Sequence, residues 1–484
     1  MTTWEPVIGL EVHAELATRT KLFCACPTEF GAEPNTLVCP RCLGMPGTLP
    51  VLNKQALEFA IRAGLAFDCQ IAEHIVFERK NYFYPDLSKG YQISQLSQAV
   101  ATGGQVNIVT DDGNEKQIHI TQIQLEEEAG KSIHGGATIR EATFTLEDFN
   151  RCGIPLIEII SEPEMHSVEE AKAYLEKLKT VLLYIGVSDC KMEEGSLRCD
   201  VNISLREAGS DRLGRRAEIK NLNSFRAVVN VLEYEIQRQT ELLNSGGTVA
   251  RETRTWDEGR GESFSMRSKE EAHDYRFFPE PDLAPVEPGQ AWIAEIKATL
   301  PELPDIKRRR YVEEYGLPLY DAELISGNRE MADFFDKTLQ YYKDPKAISN
   351  WLMGEVSRLN NQAETGFDKL RFSPQQLGEL LAMIDNGQIS TKIAKTVLEE
   401  MFASGTAPAS IVEVRGLMQI SDQGALETMI NSLVDANPGP AEDYRNGRDK
   451  ALGFFVGQIM KETKGRANPV LVTDLLKEAI LGKK

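Results

Sequence analysis

Residues 7–16, VIGLEVHAEL, alternate strictly between apolar and polar side chains. A strand has a side-chain period of two, so the pattern commits this stretch to β structure with one face on a core. Ile8, Leu10, Val12, Ala14 and Leu16 share the apolar face, and Glu11, His13 and Glu15 share the other. Two carboxylates and an imidazole in line admit two readings. One is a solvated sheet face. The other is a donor set for Mg²⁺, which takes oxygen ligands and tolerates one nitrogen.

The same pattern returns further along. Residues 197–205 turn Leu197, Cys199, Val201, Ile203 and Leu205 one way and Arg198, Asp200, Asn202 and Ser204 the other. Residues 217–221 set Glu218 and Lys220 opposite an apolar side. Residues 154–160 hold one carboxylate, Glu158, inside an apolar run, and a buried Glu needs a partner, most simply a cation. If these strands pair in one sheet, their polar faces converge on a surface able to hold Mg²⁺ and a polyphosphate. No G-x-x-x-x-G-K-[ST] loop or dinucleotide fingerprint occurs, which argues against P-loop and Rossmann folds.

Cys24-Ala25-Cys26 and Cys39-Pro40-Arg41-Cys42 form two thiol pairs on knuckle-like turns. Cys24, Cys26, Cys39 and Cys42 read either as a closed tetrahedral zinc site or as four unligated thiols. A closed site leaves no open position for catalysis. Cys69, Cys152, Cys190 and Cys199 stand alone and read as packing residues. Eight cysteines in 484 residues do not make a disulfide scaffold. No apolar run approaches the roughly 18 residues that span a bilayer. The start, Met1-Thr2-Thr3-Trp4-Glu5, lacks the regions of a signal peptide. The expectation is a soluble cytoplasmic protein with no membrane partner. A net charge of −19 argues against a protein that coats nucleic acid by bulk charge. Residues 405–484, however, balance ten Lys/Arg against ten Asp/Glu and leave room for local RNA contact.

In chain order, residues 54–67 read as a helix. Residues 77–95, dense in aromatics, lysines and amides, read as a binding loop or as an aromatic strand pair. Residues 105–147 read as short strands turning at Asp112-Gly113-Asn114 and His134-Gly135-Gly136, and the run Glu126-Glu127-Glu128 reads as solvated. A capping box of Ser167 and Glu170 opens a helix that Gly186 closes. A second helix spans 226–244. Residues 251–282 are arginine-rich, with Arg254, Arg267 and Arg276 as phosphate ligands or as members of a plain surface loop. Prolines 279–288 mark a boundary. Residues 290–403 are helical, with a capping box at Ser373–Gln376, and 403–409 read as a linker. The last segment is helical, with a basic run of Arg445, Arg448, Lys450, Lys461, Lys464 and Arg466. The class is α+β: an antiparallel-sheet domain 1–289 with a zinc knuckle at 24–42, a helical domain 290–404 and a helical tail domain 405–484.

IGLEVHAEL (8–16), FGAEPNT (30–36), RKNYFYPDL (79–87), GYQISQ (90–95), PLIEIISEPE (155–164), MEEGSLRCDVN (192–202), EIKNLNSF (218–225), SKEEAHDYRFFPEPDL (268–283), NWLMGEV (350–356) and GQIMKETKGRANP (457–469) occur in this order. Along essentially its whole length the chain resembles the B subunits of the glutamyl/aspartyl-tRNA amidotransferases. The resemblance implies a catalytic sheet like that of glutamine synthetase and guanido kinases, and an ATP-dependent carbon–nitrogen ligase with glutamine as amido donor. It implies phosphorylation of the side-chain carboxylate of mischarged Glu-tRNA(Gln) or Asp-tRNA(Asn). Ammonia would come through a channel from a partner amidase subunit, with a small third subunit completing the heterotrimer. The tail domain would bind the tRNA body.

On this likeness Glu11, His13, Glu126, Glu158, Asp200 and Glu218 are expected to contact Mg²⁺. Lys80 and Lys89 match positions at the channel mouth, acting with Glu126 to pass ammonia or hold phosphate. This chain has Gln124-Leu125-Glu126-Glu127-Glu128 where the family commonly has His-Leu-Glu-Glu-Asp, and the stretch between Lys131 and Phe149 is longer. The register therefore stays open by one residue between Glu126 and Glu127. Not all relatives keep the four cysteines, so zinc would be structural and dispensable for the chemistry. Two rival classes remain: a non-catalytic tRNA-binding scaffold, and a small-molecule carboxylate kinase or ligase, which would not need the neutral tail.

Overall fold

A computed structural model describes residues 3–135, 142–268, 275–419, 423–463 and 465–482. His273, Asp274 and Lys464, and the chain after Gly135 up to Glu141, lie outside the described residues. The chain forms two compact units, Met1–Leu303 and Pro304–Lys484.

In the first unit the elements run β1 (Trp4–Glu15), α1 (Lys54–Ala66), β2 (Gln70–Ile71), β3 (Glu78–Asn81), β4 (Tyr91–Ser94), β5 (Ala101–Val109), β6 (Glu115–Glu127), β7 (Lys131–His134), β8 (Thr145–Asp148) and β9 (Pro155–Ser161). They continue with α2 (Val168–Tyr184), β10 (Leu197–Glu207), β11 (Ala217–Leu222), α3 (Phe225–Asn244), β12 (Glu252–Asp257), β13 (Glu262–Ser268), β14 (Phe278–Pro279) and α4 (Gln290–Ala298).

Nine strands form one sheet in the order β13-β12-β11-β10-β1-β9-β6-β5-β2. Its pairs are antiparallel except β11–β12. The alternating stretch thus lies in the middle of the sheet. Ile8, Leu10, Val12, Ala14 and Leu16 are buried under the helices in one core with Ala56, Leu57, Ile61, Leu175, Leu178, Leu182, Val228 and Leu232. Helices on one face leave the other face of the sheet to its polar residues.

The helices start where their capping chemistry says. Asn53 accepts from Gln55 N and Ala56 N at the head of α1, and Ser224 accepts from Ala227 N at the head of α3. Ser167 likewise caps α2 through Glu170 N. The reciprocal half of that expected box is absent: the Glu170 carboxylate accepts from His166 N at 2.6 Å and from Lys116 at 2.8 Å. Lys116, on β6, and the amide one residue before the cap together take up that carboxylate.

The prolines at 279–288 do not separate α4 from the sheet. Ile296 is buried in the sheet's core, Trp292 packs against it, and Lys54 Nζ lies 5.0 Å over the Trp292 ring. In the second unit the expected box at Ser373 and Gln376 is present in both halves. The segment read as a linker is a tight turn. Gly405 ends the helix Thr391–Ser404 at φ +73°, and a Cβ there would sit 2.9 Å from the Arg371 carbonyl. Pro408 opens the helix Pro408–Val414, whose Ile411 and Val412 are buried. A separate core at the chain's end joins Leu426, Ile430, Phe455, Ile459, Val472 and Leu476. Among the described residues no helix is long and apolar enough to cross a membrane.

Candidate active site

Register decides which polar side chains meet. On β1 and β10, Glu11 stands opposite Asp200 and His13 opposite Arg198. On its other side, His13 stands opposite Glu158 of β9. Asn202 pairs with Glu218 of β11. Residues that are opposite each other point to the same face, so these groups share the face without helices.

They gather as two triads. Donor atoms of Glu11, Asp200 and Glu218 lie within 4.8 Å of one another, and so do those of His13, Glu126 and Glu158. In the second triad His13 Nε2 is 3.4 Å from Glu158 and 3.6 Å from Glu126, and Ser94 Oγ donates to Glu126 at 2.9 Å. In the first, Asn202 Nδ2 donates to Glu11 at 2.8 Å, while the Lys220 ammonium contacts Asp200 and lies 3.2 Å from Glu218. Asn202 Oδ1 is buried without a partner among the described residues.

The electrostatics of the triads are strained in a specific way. Burial raises the Glu11 pKa, and the charges of Glu158, Glu218 and Asp200 raise it further. Burial and Glu158 likewise raise Glu126. Burial works against charge on Glu158 too, but His13 wins and holds that carboxylate low. Burial opposes charge on His13 as well, yet Glu158 and Glu126 outweigh it and favour the imidazolium. Carboxylates that repel one another in a half-buried cluster are relieved by a cation, and hard oxygen donors with an unpartnered amide oxygen suit one. The face opens on a cavity of ≈ 330 Å³ lined by His13, Lys80, Glu126, Arg198, Asp200 and Lys220 among others.

Three consecutive acids correct the sequence reading. Glu126, Glu127 and Glu128 are not solvated but buried, at 4 %, 3 % and 5 % exposure. Each has its own partner from far along the chain. Glu126 faces His13 and Ser94, Glu127 contacts Lys89 and accepts from Ile93 N at 2.9 Å, and Glu128 contacts Arg198.

Because adjacent strand residues point to opposite faces, Glu127 leaves the triads altogether. It lines a separate cavity of ≈ 100 Å³ with Lys89, Cys24 and Cys42. The structure therefore does not bring Lys89 together with Glu126. Lys80 does stand by Glu126: its ammonium lies 5.2 Å over the Tyr275 ring, with its pKa held up against burial by Glu126 and Glu158.

The arginines differ from expectation as well. Arg254 stands opposite Ile219 in the parallel β11–β12 pair, which puts it on the helix-covered face. There it lies 3.1 Å from the fully buried Glu235 of α3, contacts Glu252, and donates to Ser263 Oγ at 2.7 Å. It is committed inside the protein and does not reach the acid cavity. Its neighbour Thr253 faces the triads and donates to Glu218 at 3.2 Å. Arg267 stands opposite Thr253 on β13, and its side chain lies outside the described residues. Arg276 is exposed at φ +47°, its carbonyl accepting from Asn81 at 3.0 Å. Two further residues of the face, Arg198 and Asn202, are visible in the alternation of β10, but nothing local to that strand marks a role for them.

The four knuckle cysteines also converge, with their sulfurs within 4.8 Å of one another. The Cys42 thiol is held far below its ordinary value by donation from Cys24, with the Cys39 amide at 3.1 Å and the Lys21 ammonium at 3.7 Å adding to the effect. Four thiols that converge in this way can hold a metal ion.

A family model described as the GatB/GatE catalytic domain matches residues 6–294, and one described as the GatB domain matches residues 333–480. The chain is 54% identical over 480 residues to the B subunit of the aspartyl/glutamyl-tRNA(Asn/Gln) amidotransferase of Carboxydothermus hydrogenoformans, covering 99% of each. It is 55% identical over 477 residues to that of Thermoanaerobacter pseudethanolicus, again covering 99% of each. It is 52% identical over 483 residues to that of Brevibacillus brevis, with the same coverage. Matches of this extent show that the chain belongs to the family of aspartyl/glutamyl-tRNA(Asn/Gln) amidotransferase B subunits.

Proposed function

We propose that this chain is the acceptor-activating member of a tRNA-dependent amidotransferase. It converts mischarged Glu-tRNA(Gln), Asp-tRNA(Asn) or both to the amidated forms, in the cytoplasm and in a heterotrimer with an amidase and a small third protein. The observation that carries the reading is the pair of triads meeting at β1, from which His13, Glu126 and Asp200 line one cavity.

A carboxylate is a poor electrophile, so ATP first supplies a phosphoryl leaving group and ammonia then displaces it. Mg²⁺, when bound by Glu11, Asp200 and Glu218 and by His13, Glu126 and Glu158, would neutralise charge on the phosphates. Lys80 and Lys220 add fixed positive charge at the same cavity. The Lys89–Glu127 pair lines a separate, smaller cavity and belongs to the route of ammonia rather than to the phosphates. The likeness of the sheet to glutamine synthetase and guanido kinases is part of the same reading. So is tRNA binding by the helical end of the chain.

A scaffold without chemistry would have no use for several buried, mutually repelling carboxylates, which cost stability unless something binds them. The direct test supplies the purified chain with ammonium, Mg²⁺-ATP and mischarged tRNA. Slow amidation and ADP release, both dependent on the tRNA being mischarged, are expected. ADP release from free glutamate or aspartate in place of the tRNA would favour the small-molecule ligase instead.

Cys24, Cys26, Cys39 and Cys42 are proposed to hold structural zinc. Metal analysis should find one zinc per chain. Its removal by a chelator, or Cys39→Ser, should deprotect the amides of residues 20–50 to hydrogen exchange while β1 and β10 stay protected. Unchanged exchange after complete zinc loss would remove the structural role.

A further inference from the structure

We propose that Arg198 receives the side-chain carboxylate of the mischarged amino acid, a role that rests on the amidotransferase reading above. Arg198 stands opposite His13 and lines the cavity that the triads face. Its Nη2 contacts Glu128, while its Nε is buried without a partner among the described residues. The Nε–H and Nη2–H of a guanidinium point the same way and match the two oxygens of a carboxylate. Glu128 meets that edge at one point, so the edge is only partly used.

The other cations on this cavity are committed elsewhere. Arg151 donates to the Ala129 carbonyl at 3.2 Å and to the Gly130 carbonyl at 2.8 Å. Lys220 serves Asp200 and Glu218. Lys80 lies over the Tyr275 ring beside Glu126 and Glu158.

Glu128 is the fixed member of its pair. Its amide donates to the Ile154 carbonyl at 2.9 Å, its own carbonyl accepts from Gly153 N at 2.8 Å, and its carboxylate accepts from Ala129 N at 3.0 Å. The Arg198 side chain is 36% exposed against 6% for Glu128, so the arginine is the one free to swing.

Position along the sheet supports the same assignment. At the other end of the β1 polar face, beyond Glu11, a recess has walls from Val7, Ile160, Pro163 and Leu213. Glu11, Ser204 and Arg216 also line the recess, and its apolar walls suit an uncharged ring. An acceptor at Arg198 is separated from that recess by the triads, which leaves phosphoryl transfer between the two.

The test measures binding of mischarged and deacylated tRNA to the assembled complex without ATP. Deacylated tRNA lacks the aminoacyl carboxylate. R198Q is expected to weaken binding of mischarged tRNA about tenfold to a hundredfold, the scale of a charge-assisted hydrogen bond, with deacylated tRNA unchanged. R198K is expected to recover only part, because an ammonium lacks the fork. E128Q, which loosens the competing contact, is expected to tighten mischarged tRNA alone.

Unchanged binding of mischarged tRNA to R198Q overturns the proposal. An equal loss for both tRNAs also overturns it and places Arg198 on the tRNA backbone. A raised KM for ATP with normal binding of mischarged tRNA overturns it and assigns Arg198 to the phosphates. If the wild-type complex amidates nothing, the amidotransferase reading fails; if it amidates and R198Q binds normally, only the assignment of Arg198 fails.

Discussion

Asp200→Ala is expected to lower tRNA-dependent amidation by at least about a hundredfold, the effect of deleting one charge-stabilising group from a preorganised site. The Asp200 carboxylate accepts from Lys220, and Lys220 also has Glu218, 3.2 Å away, as a partner that the change leaves in place. Losing Asp200 also removes one of the charges that push the Glu11 pKa up. Stability should therefore hold or rise slightly while activity collapses. That split separates a functional carboxylate from a structural one. Steady-state amidation with a Mg²⁺ titration, alongside a thermal melt, measures both. Glu158→Ala is expected to lower amidation likewise from the other triad, but with a loss of stability, because it strips His13 of the carboxylate it holds low. Full rates in both variants would remove the triads from the chemistry.

Arg254→Ala is expected to do the reverse. It strips a partner from Glu235, which is fully buried, and leaves the Ser263 carbonyl without the donor that reaches it at 2.7 Å. Breaking a buried pair from one side costs about 3 kcal/mol, the lower end of the usual range, because Arg238 still holds Glu235 at 2.7 Å. Denaturant unfolding should show the loss as a lower midpoint. The double variant with Glu235→Gln should recover part of it, since the orphaned charge is gone. Activity per folded molecule should stay near wild type. A raised KM for ATP with unchanged stability would return Arg254 to the nucleotide.

The contrast between these residues shows what a linear reading can reach. The polar faces of β1, β10 and β11 follow from alternation, and the pairing of Glu11 with Asp200 and of His13 with Glu158 needs only that those strands be neighbours. Arg254 has the same alternation, yet it falls on the core side because Thr253 and Thr255 take the polar one. An arginine facing a core looks wrong until Glu235 comes into view from a helix that precedes it in the chain. Glu126–Glu128 mislead for the same reason. Three acids in a row suggest solvent, and only Lys89, Arg198, Ser94 and His13, gathered from distant segments, make their burial tolerable. Local patterns report which way a side chain points. They are silent on what waits there.

The strand that carries those acids has a genetic consequence. β6 works like a reading frame, with its phase set at the irregularity between Ile120 and Gln122. Deleting one codon between there and Glu128 would turn every later side chain over, sending one carboxylate away from His13 and another away from Lys89 at a stroke. Insertions and deletions can therefore accumulate at the hairpin tip of Thr110–Asn114, which lies upstream of that phase mark, but not in the stretch that follows it as far as Glu128.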